Sequence, residues 1–173
     1  MRKLLVLLCL TVFTFGYSQD KETAYFNKNE IKGNALMLVA GALEVTYERI
    51  LNEESGAGVS LFVPYDNTIA TKFSLTPYYR FYFGKKPAAG FFAEGFGMIN
   101  SYEYNNNSYY NGNTNSGNNT DFALGFGIGG KWITKKGFVF EINGGVGRNL
   151  FNSNNTDYQI VGRGGITLGY RFK

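Results

Sequence analysis

Between residues 74 and 84 the chain reads SLTPYYRFYFG, with Leu75, Tyr79, Phe81 and Phe83 at alternate positions and Ser74, Thr76 and Arg80 between them. A period of two marks an extended strand whose faces differ. Similar alternation recurs in eight runs, near 31–40, 43–51, 56–63, 71–83, 90–104, 121–134, 137–150 and 157–172. A tilted strand needs about 9–11 residues to cross a bilayer, and these runs suit that length. The longest apolar stretch after the N-terminus, ALMLVAGAL at 35–43, is too short for a spanning helix, which takes roughly 20 residues.

The connections separate into two kinds. NEESG, GKKPAA and KKG follow the second, fourth and sixth runs and are tight and polar. PYDNTIA, NNNSYYNGNTNSGNNT and FNSNNT follow the third, fifth and seventh, and are longer and rich in Asn, Ser and Gly. Only the first connection, near Gly41, departs by being short. Short turns at one end and long polar loops at the other fit a barrel set across a membrane. Two hairpin registers can be written down. Gly137 in TKKGF suits the left-handed position of a three-residue loop, which sets Trp132 opposite Phe140 and Lys131 opposite Glu141 as an ion pair. Phe83 opposite Phe91 sets Arg80 opposite Glu94 and lays Tyr79 over Gly95. Pro77 lacks an N–H, so a bulge or a local break in pairing is expected there.

The faces then decide the architecture. The run 157–172 carries Tyr158, Ile160, Ile166, Leu168, Tyr170 and Phe172 on one face, and Gln159, Arg163, Thr167 and Arg171 on the other. Glu44, Glu48, Lys72, Arg80, Glu94, Lys131, Glu141, Arg163 and Arg171 all fall on the narrower, polar faces. On a soluble surface these charges would be harmless, but the aromatic faces would then have to meet inside. An eight-stranded barrel has room within for little beyond its own side chains. The expected fold is therefore all-β: a closed, eight-stranded, antiparallel up-and-down transmembrane barrel with a charge network in its lumen. Within the run 90–104 the inner face is expected to carry Phe92, Glu94, Phe96 and Met98, a mixed set. Tyr47, Phe83, Phe91, Trp132, Phe138 and Phe172 lie near the short turns or the C-terminus and would form the periplasmic aromatic girdle. Tyr65, Tyr104, Phe122 and Tyr158 would form the opposite one.

The N-terminus adds a place. Arg2 and Lys3 precede an apolar run ending at Phe15, and Gly16 and Ser18 follow. This is the layout of a secretory signal, expected to occupy 1–18 with cleavage after Ser18. A lipid attachment at Cys9 is disfavoured because Leu8 precedes it where a small residue is needed. Residues 19–30 would form a periplasmic segment and 31–173 the barrel. Cys9 is the single cysteine, so the exported part would hold no disulfide. Loss of Arg2 and Lys3 lowers the formal charge from +4 to +2, which gives no argument for nucleic acid. The chain has no histidine, which removes the commonest general base and metal ligand. Twenty-three glycines and 17% aromatic residues match short alternating strands.

YERIL at 47–51, PYYRFYFGKK at 77–86 and GFFAEGFG at 90–97 resemble small outer-membrane β-barrels of the OmpX and OmpA-transmembrane type. They resemble more closely an exported barrel family defined as a domain of unknown function. The ending GYRFK resembles the aromatic C-terminal signal read by the barrel assembly machinery, with Tyr170 and Phe172 in its pattern, although Lys173 follows. The resemblance implies a location in the cell outer membrane of a Gram-negative cell and contact with outer-membrane lipid. It supplies no activity, cofactor, metal or catalytic residue. The favoured role is structural or surface-interacting, as a monomer, with the loop 105–120 facing a possible extracellular partner. Three other readings stay open: a lipid-modifying enzyme using carboxylates such as Glu94 and Glu141, a soluble periplasmic lipid carrier, and a narrow pore.

Overall fold

A computed structural model describes residues 27–107, 114–151 and 159–173, with the backbone alone for 104–107 and 114–116. The signal-peptide expectation and the tips of two loops lie outside these residues. Eight strands close on themselves in sequence order: β1 (Asn29–Asn34), β2 (Ala42–Asn52), β3 (Ser55–Pro64), β4 (Thr71–Tyr82), β5 (Gly90–Asn107), β6 (Thr114–Ile133), β7 (Phe138–Asn149) and β8 (Ile160–Phe172). Every neighbouring pair is antiparallel, and β1 pairs with β8 from Asn29↔Phe172 to Asn34↔Thr167. Closure removes both sheet edges along that length.

Both hairpin registers follow the sequence. Arg80 faces Glu94, Tyr79 faces Gly95, Lys131 faces Glu141 and Trp132 faces Phe140. Gly137 adopts φ +89°, and Thr134 N–H donates to the Phe138 carbonyl at 2.9 Å. Tyr79 does not cover Gly95, however. Its ring leans along its own strand to meet Phe81 edge-on at 4.9 Å, and no neighbouring atom stands over Gly95. Trp132 and Phe122 take that role over Gly130 and Gly97 instead.

Pro77 interrupts pairing with β5 without a bulge: the ladder resumes in the same register at Leu75↔Ile99 and Tyr78↔Phe96. The register shift in β4 lies between Thr71 and Phe73. It places the extra residue at Lys72, and an extra residue re-aims the side chain.

Three boundaries differ from the expectation. The first strand begins at Asn29 and stops at Asn34, so Glu30 belongs to the wall and not to an N-terminal segment. A short helix α1 (Ala35–Val39) follows, where an extended run had been expected to 40. Asn34 caps it by accepting from Met37 N–H at 3.2 Å, and Gly41 at φ +101° ends it. The first connection is thus a folded loop and not a tight turn. Finally, much of the expected loop 105–120 is strand, because Asn105–Asn107 pair with Ser116–Thr114. Beyond Tyr102 the ladder to β4 has ended, and beyond Ala123 the ladder to β7, while β5 and β6 go on pairing with each other to Asn107↔Thr114.

Candidate functional site: the charged lumen

Alternation along each strand sends one set of side chains inward. On β4 these are Ser74, Thr76, Tyr78, Arg80 and Tyr82, and on β5 Phe92, Glu94, Phe96, Met98, Asn100 and Tyr102, all buried. The outer wall carries Tyr79 and Phe81 from β4, Leu124, Phe126, Ile128 and Trp132 from β6, and Ile166, Leu168 and Tyr170 from β8. An apolar surface of this extent is unlike that of a soluble monomer.

Glu48 is the hub of the interior. Its Oε2 accepts from Lys32 Nζ at 2.6 Å, Tyr78 Oη at 2.9 Å and Arg80 Nη1 at 3.1 Å. Its Oε1 accepts from Lys131 Nζ at 2.9 Å and from the Tyr82 hydroxyl. Arg80 donates through Nε to Glu94 at 2.6 Å and through Nη1 to Glu141 at 2.8 Å. Its guanidinium lies 4.3 Å from the Tyr78 ring centre and 4.2 Å from that of Phe92, a cation held between two π faces. Lys32 also reaches Glu141 at 3.0 Å, and Lys131 reaches Glu30 at 2.8 Å. Acids Glu30, Glu48, Glu94 and Glu141 thus meet bases Lys32, Arg80, Lys131 and Arg171 in equal number.

The short-turn end is stoppered. The loop after β4 folds inward, burying Ala88 and Ala89 beside Ile50, Tyr82 and Phe92. Arg171 holds it there, donating to the Pro87 and Ala88 carbonyls at 2.9 and 2.7 Å and to Glu30 at 2.7 Å. Every charge in this half has several partners, as buried ions require.

The loop-end half is looser. Arg163 reaches Glu94 and Ser60 at 3.2 Å each, and its Nη1 makes no well-aligned hydrogen bond among the described residues. Glu44 accepts from Asn34 Nδ2 at 2.7 Å and has no ion pair among the described residues. A cavity of about 200 Å³ opens here between these two groups, Ser74, Thr76, Asn100 and Met98.

Of the nine charges expected inside, Glu44, Glu48, Arg80, Glu94, Lys131, Glu141, Arg163 and Arg171 point inward. Lys72 does not. The bulge turns it to the outside, where it pairs with Glu103 at 2.6 Å, both about two-fifths exposed. Lys131 and Glu141 sit opposite but do not pair directly. Lys131 goes to Glu30 and Glu48, while Glu141 goes to Lys32 and Arg80. Sequence reading missed Glu30, Lys32, Tyr78 and Tyr82. The first two were legible in NEIKGN, where they alternate with Ile31 and Gly33.

Tyr47, Phe83, Phe91, Trp132, Phe138, Tyr170 and Phe172 are exposed on the outer wall near the short turns and C-terminus. Tyr65 is exposed at the loop end, its hydroxyl bonded to the Leu38 carbonyl. Phe122 lies 6.5 Å from Phe151. The Tyr104 side chain and Tyr158 lie outside the described residues. No cluster able to hold a metal and no helix long and apolar enough to cross a membrane occurs among the described residues.

No protein-family model matches the chain, and neither does any curated protein. Among solved structures, the chain is similar to the N-terminal β-barrel domain of Pseudomonas aeruginosa OprF. The TM-score is 0.61 at 15% identity, over 84% of this chain and 98% of that one. At that identity the likeness is one of fold: a closed eight-stranded antiparallel barrel of the OprF and OmpA type.

Proposed function

We propose that the chain is an outer-membrane β-barrel with a structural or surface-interacting role, and that its lumen is filled rather than conducting. One observation carries this reading: fully buried Glu30, Glu48, Arg80, Lys131 and Glu141 stand inside a wall whose outer face is Leu, Ile, Val, Phe, Tyr and Trp. Water-soluble carriers have the opposite polarity. The rings near the short turns then form the periplasmic girdle, and Tyr170 and Phe172 serve as the signal to the assembly machinery. Likeness in fold to the OprF β-barrel domain supports the outer-membrane location.

No catalysis is included in the reading. Glu94 and Glu141 are held by Arg80 and face no histidine. The measurement is paired. Folded barrel in the membrane fraction should run faster on an SDS gel before boiling than after. Planar bilayers holding it should show no steady single-channel steps. Recovery in the soluble fraction without detergent would defeat the membrane reading, and steady conductance would defeat the filled lumen.

A further inference from the structure

The wall of this barrel is not of even height. β1 has six residues, against eleven in β2 and thirteen in β8. Pairing of β1 with β8 ends at Asn34↔Thr167, and with β2 at Gly33↔Val45. Above that level no strand among the described residues stands between Ile160–Ile166 on one side and Ala42–Glu44 on the other. Helix α1 lies across the opening, packed against both β8 and β2, and the cavity is lined there by Met37, Ile160 and Gly162.

The seam lies within the apolar band if the barrel spans a membrane, a condition taken from the proposed function. About ten tilted residues cross the band, so counting from Phe172 the opening falls in the half nearer the loops. Open sheet edges are not tolerated against lipid unless protein covers them or they line a cavity. Both conditions are met. Leu36, Leu38 and Val39 of α1 are exposed outward, while Met37 lines the cavity together with Gly162 and Gly164. A single side chain ties the seam: Asn34 caps α1, donates to the Gly164 carbonyl at 3.2 Å and donates to Glu44 at 2.7 Å.

The cavity behind the seam has a definite chemistry. Arg163 and Glu44, of opposite sign, both line it and are the two least completed lumen charges. Ser74, Thr76 and Asn100 supply hydroxyl and amide groups around them. Its volume, about 200 Å³, falls below the roughly 300–1,000 Å³ of sites that engulf a whole drug-sized ligand. A headgroup fits and a lipid tail does not.

We propose that this cavity is a lateral binding site for a single-chain, zwitterionic phospholipid, such as a lysophosphatidylethanolamine from the outer leaflet. The phosphate sits at Arg163 and the ammonium at Glu44. The acyl chain leaves through the seam beside α1, among Leu38, Ile160 and the surrounding lipid. Charge-assisted contacts hold the head, and the tail never leaves an apolar setting. The ligand is therefore drawn from the membrane plane.

The test is native mass spectrometry of the detergent-purified barrel with added lysophosphatidylethanolamine. One equivalent is expected to be retained. Glycerophosphoethanolamine (the head alone), palmitate and lysophosphatidylglycerol should each be retained about tenfold less, since each lacks one contact the site makes. Glu44→Gln and Arg163→Gln should each cut retention of the first ligand by about tenfold on the same ground. Met37→Trp, which removes no ion pair, should fill the cavity and abolish retention, and it decides the matter if an ion-pair variant fails to fold. Retention unchanged in every folded variant overturns the site. Equal retention of the head alone overturns the lateral seam, and equal retention of palmitate or lysophosphatidylglycerol overturns recognition of a zwitterion. A barrel that shows the SDS gel shift without retaining the ligand refutes this site and leaves the proposed function standing.

Discussion

The two halves of the lumen share one wall and one alternation, yet they are filled differently. Near the short turns, Tyr78, Tyr82, Phe92 and Arg80 reach across the axis, and each charge is met by two or more partners. Near the loops the inward positions on β3 and β4 include Ser60, Ser74 and Thr76, small residues beside Phe62, and space remains. The period of two therefore decides which way a side chain points, while its size decides whether the barrel is solid or hollow at that level. Glycines complete the solid half. Gly125 and Gly129 on β6 make room for the Phe96 and Phe92 rings, and a Cβ at Gly129 would also stand 2.6 Å from the Ile142 carbonyl.

The contrast can be tested at four strengths, each read as a shift in urea-unfolding free energy of barrels folded into vesicles. Arg80→Leu should be the most damaging, with a loss of about 3–5 kcal/mol, because it takes the shared guanidinium from Glu48, Glu94 and Glu141 and leaves the buried network one positive charge short. Adding Glu94→Leu should recover only part of it, since Glu48 and Glu141 still lose their guanidinium; full recovery would mean that Arg80 works through Glu94 alone. Gly129→Val should cost about 1–3 kcal/mol by overpacking the solid half. Its counterpart in the hollow half, Ser74→Val, should cost under about 1 kcal/mol, because Ser74 borders the cavity and the added methyl group has room there. A larger loss at Ser74 than at Gly129 would reverse the comparison. Lys72→Gln should change stability by no more than about 0.5 kcal/mol, as expected for a half-exposed pair.

Most of the architecture could be read from the residues because a closed barrel with a polar inside forces strict alternation on every strand. Where that constraint lapses, so does legibility. The helix Ala35–Val39 is written in apolar residues that serve equally well in a strand, and only the cap at Asn34 and the stop at Gly41 set it apart. The Asn-rich rise of β5 and β6 is paired from Asn105↔Ser116 to Asn107↔Thr114, yet its composition resembles a loop. Lys72 obeys the inward count, but a bulge that no residue type announces resets the count at Thr71. The partner choices inside were hidden for another reason. Cross-strand neighbours can be counted from a turn, whereas Lys131 and Glu141 each bond across the axis to strands that no hairpin register connects.

Glu30 lies on the first strand and Arg171 on the last, joined at 2.7 Å across 141 positions of sequence. Their meeting is also the act of joining the sheet's two ends. A growing or truncated chain that lacks residues 160–172 would leave Glu30 short of a guanidinium and the inward loop without its latch. Cylinder closure and charge neutrality are thus reached in one step, and a half-built wall has no electrically satisfied resting state to settle into.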